Sequence, residues 1–211
     1  MSWPISKTIF NDGGFEWSMY DRDFLFTPDR NGEIPDHHCK QTFVKSLPYI
    51  ISHRNAVDIG CRDGEYTRYL HKHFQHVYCF DYRRRKLFNK NVDLNKITHF
   101  QCALGEESKQ VLASGAGSLY SQSVPKENWI NVQLYALDQF DLDNIDYIKI
   151  DVDGFELPVL KGSINTIEKF SPILVLEQEN ENTEALEFCQ YLGYSVADWD
   201  DQHRNVIMRK L

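Results

Sequence analysis

From Asp36 onward the chain switches repeatedly between short apolar runs and stretches of helical spacing. Asp36 caps an expected helix over about 37–47, with Phe43, Val44 and Leu47 as its apolar stripe. Ala56–Ile59 reads as a strand, and Glu65–Phe74 as a helix with Tyr66, Tyr69, Leu70 and His73 on one face. "HVYCFD", His76–Asp81, predicts a second strand, residues 83–93 a helix, and "ITHFQCAL", Ile97–Leu104, a third strand. Gly105–Asn128 reads as a loop-rich excursion around "SGAGSLYSQS". An alternating strand follows within "WINVQLYALDQF", then "DYIKIDVD", apolar up to Asp151. A helix over Glu156–Phe170 leads into the buried strand "PILVLE", and "TEALEFCQYLG" is an amphipathic helix closed by Gly193. The last two strands, "YSVADW" and "RNVIMRKL", have no helix between them and pair as an antiparallel hairpin.

Strands alternating with helices give an α/β fold: a doubly wound, mostly parallel sheet with helices on both faces and one antiparallel edge strand. No repeat or linker divides residues 36–211, which read as one domain. Residues 1–35 mix turn formers with Trp3, Phe10, Phe15, Trp17, Tyr20, Phe24 and Phe26, and are expected to form an irregular segment packed onto that domain.

Composition narrows the function. The 211 residues are 42% hydrophobic and 13% aromatic, with a formal charge of −8 and a pI near 5.5. That balance argues against a sequence-independent nucleic-acid binder, which needs a basic face. The run Arg83-Arg84-Arg85-Lys86 is read as the solvated start of a helix. Five scattered cysteines without a C-x-x-C pair suit neither a zinc knuckle nor a disulfide framework, but reduced thiols in a soluble, cytoplasmic protein. No signal peptide is read at the amino terminus, and no apolar run approaches the roughly 20 residues a membrane span needs.

The chemistry concentrates in "RNAVDIGCRDGEYTRYL". In wound sheets ligands bind beyond the carboxyl ends of the strands. Asp58, Gly60 and Gly64 form D-x-G-x-x-x-G, whereas a dinucleotide turn needs G-x-G-x-x-G so that the backbone can approach a pyrophosphate. Arg62 stands where the second glycine would be, which argues against NAD. S-adenosylmethionine (SAM) has no pyrophosphate and suits the pattern. Asp81, about 20 residues beyond Gly60, is placed to accept both ribose hydroxyls. Tyr82 could lie against the adenine, and Ala103 and Leu104 could frame it. The bland alternatives are a helix cap for Gly64 and a surface charge for Asp81.

The stretch Leu137–Glu177, "LDQFDLDNIDYIKIDVDGFELPVLKGSINTIEKFSPILVLE", resembles the signature of the FkbM-type methyltransferases. Lys149, Asp151, Asp153, Gly154, Glu156, Leu160, Gly162, Pro172 and Glu177 stand at its motif positions. "VDIGCRDGEYT" resembles the family's first motif, and "FDYRRRKLFNKNVDLN" its second, with Asn91 or Asn95 late in the helix. The family more often has Ala-Asn at Cys61-Arg62 and Glu at Asp153. The resemblance covers about residues 55–210 and implies a class I, seven-stranded fold and SAM-dependent methyl transfer, usually to a hydroxyl of a sugar or natural product. It puts Cys61 and Arg62 in the cofactor turn and makes Asp151, Asp153 and Glu177 the candidate catalytic carboxylates. Their roles lie among general base, hydroxyl clamp and ligand to a divalent cation, with oxygen ligands favouring magnesium or calcium. Asp153 and Glu156 could instead cap the following helix. His37 and His38 could supply a base from a lid, with a surface helix face as the alternative. His71, His73 and His76 read as surface or packing residues. Ser118 and Tyr120 could line the acceptor pocket or an ordinary loop. The acidic charge suits a neutral or cationic acceptor. Transfer to nitrogen or a carboxylate, and SAM binding without catalysis, are the alternatives.

Overall fold

The computed structural model describes residues 5–9, 16–20, 38–83, 87–114, 129–178, 183–200 and 204–210, with only the backbone at 5–9, 16–20, 38 and 114. Its centre is a seven-stranded sheet. The parallel strands β3 (Asn55–Ile59), β4 (His76–Phe80), β5 (Ile97–Phe100), β9 (Ile145–Ile150) and β10 (Ile173–Glu177) lie in the order β5-β4-β3-β9-β10. The last strand, β12 (Asn205–Lys210), runs antiparallel to β10 and to the outermost strand, β11 (Tyr194–Asp200). The one reversed strand therefore belongs to the expected edge hairpin but sits one place in from the edge.

Successive strand residues divide between two buried clusters, as strands covered on both faces require. Val57, Ile59, Ile148, Ile150, Leu174 and Leu176 face one cluster with Val159, Leu160, Ile167 and Cys189. Those last residues come from the helices α4 (Glu156–Lys161), α5 (Ile164–Phe170) and α6 (Glu184–Tyr191). Ala56, Val77, Cys79, Tyr147 and Val175 face the other cluster, closed by Phe43, Tyr69, Leu70 and Phe88. These come from α1 (His38–Ser46), α2 (Thr67–His73) and α3 (Phe88–Asn91). All five cysteines are buried and free. No helix among the described residues is long and apolar enough to cross a membrane.

Five regions differ from the sequence reading. The third strand stops at Phe100. The chain then steps off the sheet, and β6 (Ala103–Leu104) pairs instead with β8 (Trp129–Tyr135). Within the expected loop excursion, β7 (Lys109–Ser114) pairs antiparallel with β8, making a separate three-stranded sheet. Of the helix expected over 83–93, the described residues are helical over the short α3, and residues 84–86 lie outside the described ones. The helix expected over Glu156–Phe170 breaks at Gly162, where an added Cβ would lie 2.0 Å from the Gly105 carbonyl oxygen. Asp138 stabilises that break by accepting hydrogen bonds from the Asn165 and Thr166 amides at the start of α5, at 2.9 and 2.8 Å. In the amino-terminal segment expected to be irregular, β1 (Ile5–Ile9) and β2 (Glu16–Tyr20) pair as an antiparallel ribbon.

At the amino ends of β3 and β9, Arg54 grips the opposing loop. Its Nε donates to Asp146 Oδ2 at 3.0 Å and its Nη1 to Asn144 Oδ1 at 2.8 Å. The candidate site residues lie at the opposite, carboxyl ends.

Candidate functional site

The glycine turn leaves β3 with Gly60 at φ +86°. A Cβ there would stand 1.8 Å from the Asp151 carbonyl oxygen, so only glycine lets the tips of β3 and β9 meet. The Gly60 amide donates to Phe80 O at 2.9 Å, and the Asp151 amide to Ile59 O at 3.0 Å. Arg62 adopts a left-handed conformation, φ 46°. Gly64, φ +87°, donates to Cys61 O at 2.8 Å and accepts from the Arg68 amide at 3.0 Å, closing the turn into α2. Cys61 is buried, and burial pushes its thiol well above the usual range.

Asp81 follows the tip of β4 and faces this turn. One carboxylate oxygen accepts from the Arg62 amide at 3.0 Å and the other from the Arg83 amide at 2.8 Å. Each oxygen keeps a further lone pair, so the group is oriented without being exhausted. Tyr82 is half-buried, and the Arg83 guanidinium lies 5.3 Å from its ring centroid.

Asp58 stands one turn deeper and is 1% exposed. Thr67 at the head of α2 donates a short hydrogen bond to it, and burial pushes its carboxyl up to about 7. Its role is internal to the turn: it ties β3 to the helix that the glycines lead into.

Lys149 is the organising cation. Its side chain is 2% exposed, while that of Asp151 is 39% exposed, so the ammonium is interior and the carboxylate reaches the cleft. Lys149 Nζ donates to Asp151 Oδ2 at 3.1 Å and to Asn205 Oδ1 at 2.9 Å, and lies 5.6 Å from the Tyr66 ring centroid. Burial opposes ionisation of Asp151, but Lys149 and the hydrogen bonds from Glu177 and Lys149 together hold it below the usual carboxylate range. Glu177, at the end of β10, behaves in the opposite way. Burial, then the neighbouring Asp151 charge, pushes it up to about 8. Its Oε2 is buried with no hydrogen-bond partner among the described residues. The two carboxyls are thus pushed in opposite directions, Asp151 toward its ionised form and Glu177 toward its protonated form.

The loop after β9 is self-capped. Glu156 is buried and its Oε1 accepts from the Val152 and Gly154 amides at 3.1 and 3.2 Å. Asp153 is exposed at φ 54°, beside Gly154 at φ 91°.

Asp58, Gly60, Cys61, Arg62, Gly64, Asp81, Asp151 and Glu177 therefore share one end of the sheet, with Tyr82 next to Asp81. Ala103 and Leu104 do not stand at the tip of β5: they are buried within β6, and Gln101 and Cys102 follow that tip instead. Gln101 and Cys102 border a cavity of about 550 Å³ also lined by Phe100, Ser108, Tyr135, Gln139 and Phe140. His37, Arg84, Arg85, Lys86, Ser118 and Tyr120 lie outside the described residues, as does the side chain of His38. His71 is partly buried, and its ring is held mainly by burial to about 4. Periodicity gave no role to Lys149, Asn205 or Thr42. The available signal was a lysine between isoleucines in the apolar run "YIKID". A buried cation in a central strand requires partners.

No group of three or more His, Cys, Asp or Glu among the described residues is arranged to hold a metal ion. The Lys149 ammonium already pairs with Asp151 at 3.1 Å, so Asp151 and Glu177 by themselves do not make the oxygen cage a divalent cation needs.

A model of the methyltransferase FkbM domain matches residues 58–201. Among solved structures, the methyltransferase FkbM from Methylobacillus flagellatus KT is similar with a TM-score of 0.53 and 18% identity, over 76% of this chain. The match takes in 45% of that protein, so this chain spans less than half its length. Precorrin 8w decarboxylase from Methanobacterium thermoautotrophicum is similar with a TM-score of 0.53 and 14% identity, over 89% of this chain and 97% of its own. Identities this low carry a likeness of fold alone. No curated protein matches the chain. Because the domain match spans most of the sequence, including the glycine turn and the carboxylates above, the chain belongs to the FkbM methyltransferase domain family.

Proposed function

We propose that the protein transfers the methyl group of SAM to a hydroxyl of a sugar, glycan or related small polar molecule. The observation that carries this reading is the Asp151–Glu177 pair beside Lys149: a base kept ionised next to an acid kept protonated, at the tips of adjacent strands. A hydroxyl nucleophile must lose a proton as it attacks, and a carboxylate already held in its basic form can accept it. A carboxyl that keeps its hydrogen can donate to a second oxygen of a polyol.

The turn fits SAM. Gly60 leaves the backbone bare at the crossing of β3 and β9, and Asp81 has lone pairs left for the two ribose hydroxyls. SAM bound there supplies an electrophilic methyl group on a sulfonium. In this reading Cys61, Arg62 and Gly64 present the turn's backbone to the amino-acid end, and Asp58 holds the turn from beneath. Tyr82 covers the adenine, with Gln101 and Cys102 taking the framing role expected of Ala103 and Leu104. Asp151 receives the acceptor proton, Glu177 orients the acceptor, and Asp153 lies at the mouth of the cleft. No step is assigned to magnesium. We further take residues 36–211 to act as one catalytic domain, with the amino-terminal segment packed on it.

Calorimetry with SAM and its demethylated product, with and without magnesium, tests the cofactor half. Methyl-labelled SAM offered with panels of neutral sugars, amines and carboxylates tests the acceptor. The expected result is SAM binding without magnesium, label in sugars, and an Asp151→Ala variant that binds SAM without turnover. Label found only in amines or carboxylates overturns the acceptor class, and turnover retained in Asp151→Ala overturns the base.

A further inference from the structure

Lys149 does not meet Asp151 alone. Its ammonium also donates to Asn205 Oδ1 at 2.9 Å. Asn205 Nδ2 donates to Thr42 Oγ1 at 3.3 Å, and Thr42 gives its own hydrogen to Asp200 Oδ2 at 2.6 Å. Lys45 Nζ lies 3.7 Å from the other oxygen of Asp200. Thr42, Asn205 and Asp200 are all buried, at 0%, 5% and 1% exposed.

The donors run in one direction. Thr42 has a single hydrogen and spends it on Asp200, so it can only accept from Asn205. Asn205 must then turn its amide nitrogen to Thr42 and its carbonyl to Lys149. A buried row of this kind strengthens cooperatively, and breaking any link strands a polar group in the interior. The row joins α1, the edge hairpin and the central strand β9, and Asn205 is the register partner of Glu177 on the neighbouring strand.

We propose that Thr42 and Asn205 are positioning residues for methyl transfer: their hydrogen-bond row from Asp200 holds the Lys149 ammonium against Asp151 and so keeps that carboxylate in its basic form. This rests on the reading of Asp151 as the base. Neither residue touches the cleft, and both act through Lys149. The other groups that bear on Asp151 are Glu177 from β10, Arg62 from the glycine turn, Glu156 at the start of α4, Asp58 from β3, and Cys39 from α1, with Asp153 from the loop after β9 bearing on Glu177. Changes at Thr42 and Asn205 that introduce no charge leave all of these in place, so any movement of the Asp151 titration comes through Lys149.

The test is a carboxyl-carbon NMR titration of Asp151 and Glu177 in the full chain without cofactor, in Thr42→Val, Thr42→Ser and Asn205→Leu, with folding followed by circular dichroism. Thr42→Val and Asn205→Leu are expected to raise the Asp151 midpoint by about half a pH unit or more, while Thr42→Ser, which keeps the hydroxyl, leaves it where it is. If one variant does not fold, the other carries the same comparison. Midpoints unmoved in a folded Thr42→Val or Asn205→Leu protein overturn the proposal, because a purely structural role lowers stability without shifting the titration. Binding of S-adenosylhomocysteine is measured in parallel. A chain that shows the shift but binds no S-adenosylhomocysteine upholds the row and overturns the functional reading, whereas a chain that binds it with unmoved midpoints overturns the row alone.

Discussion

Lys149 and Asp58 are register partners on the adjacent parallel strands β9 and β3, so a buried ammonium and a buried carboxylate stand side by side beneath the glycine turn. Each limits the cost of burying the other, and removing Lys149 leaves the Asp58 carboxyl buried without that cation.

Lys149→Met is therefore expected to lower stability by about 3–5 kcal/mol in urea or thermal unfolding, and adding Asp58→Asn to recover part of that loss. Asp58 also carries a pH signature. Its folded value is raised to about 7, so the native chain binds the proton more tightly than the unfolded one. Its contribution falls as pH rises from about 4 to about 7 and is flat above that. Wild type should thus lose more of its Tm between pH 5 and pH 8 than Asp58→Asn does.

Gly60→Ala tests the crossing of β3 and β9. The new methyl meets a backbone oxygen rather than a pliable side chain, at a φ that alanine rarely adopts. Unfolding should show a loss of at least about 1–3 kcal/mol, and calorimetry should show SAM binding abolished.

Asp81→Asn keeps the shape but loses the charge offered to the ribose. SAM affinity should fall roughly 10- to 100-fold, equivalent to about 1.4–2.8 kcal/mol. Unfolding should change much less, since an amide oxygen still accepts from one of the Arg62 and Arg83 amides. Unchanged affinity would rule out a carboxylate–diol contact.

Glu177→Gln mimics the protonated acid permanently. Glu177 keeps its hydrogen up to about pH 8, so methyl transfer to a sugar by the wild type should decline above that pH, and the amide variant should lose the decline. A wild-type alkaline limb that survives in Glu177→Gln assigns the titration to another group.

Much of this was legible in the sequence. Strands buried on both faces write long apolar runs, and β3, β4, β9 and β10 were found that way. The reversed strand was recognised from two late strands without a helix between them, but its seat inside β11 depends on pairing that no local pattern encodes. Ile97–Leu104 looked like one strand because both pieces are apolar, yet the chain changes partners after Phe100. Asp81 and Asp151 could be named from their places at strand ends. The row through Thr42 and Asn205 could not, because residues 163 positions apart meet only once the sheet has closed.

The Arg54 clamp occupies the pole of the sheet opposite the cleft. Its partners Asp146 and Asn144 hold the strand roots together while the tips stay free to serve chemistry. Reinforcing the protein at that far pole, for storage or heat tolerance, is therefore a modification that catalysis should not feel.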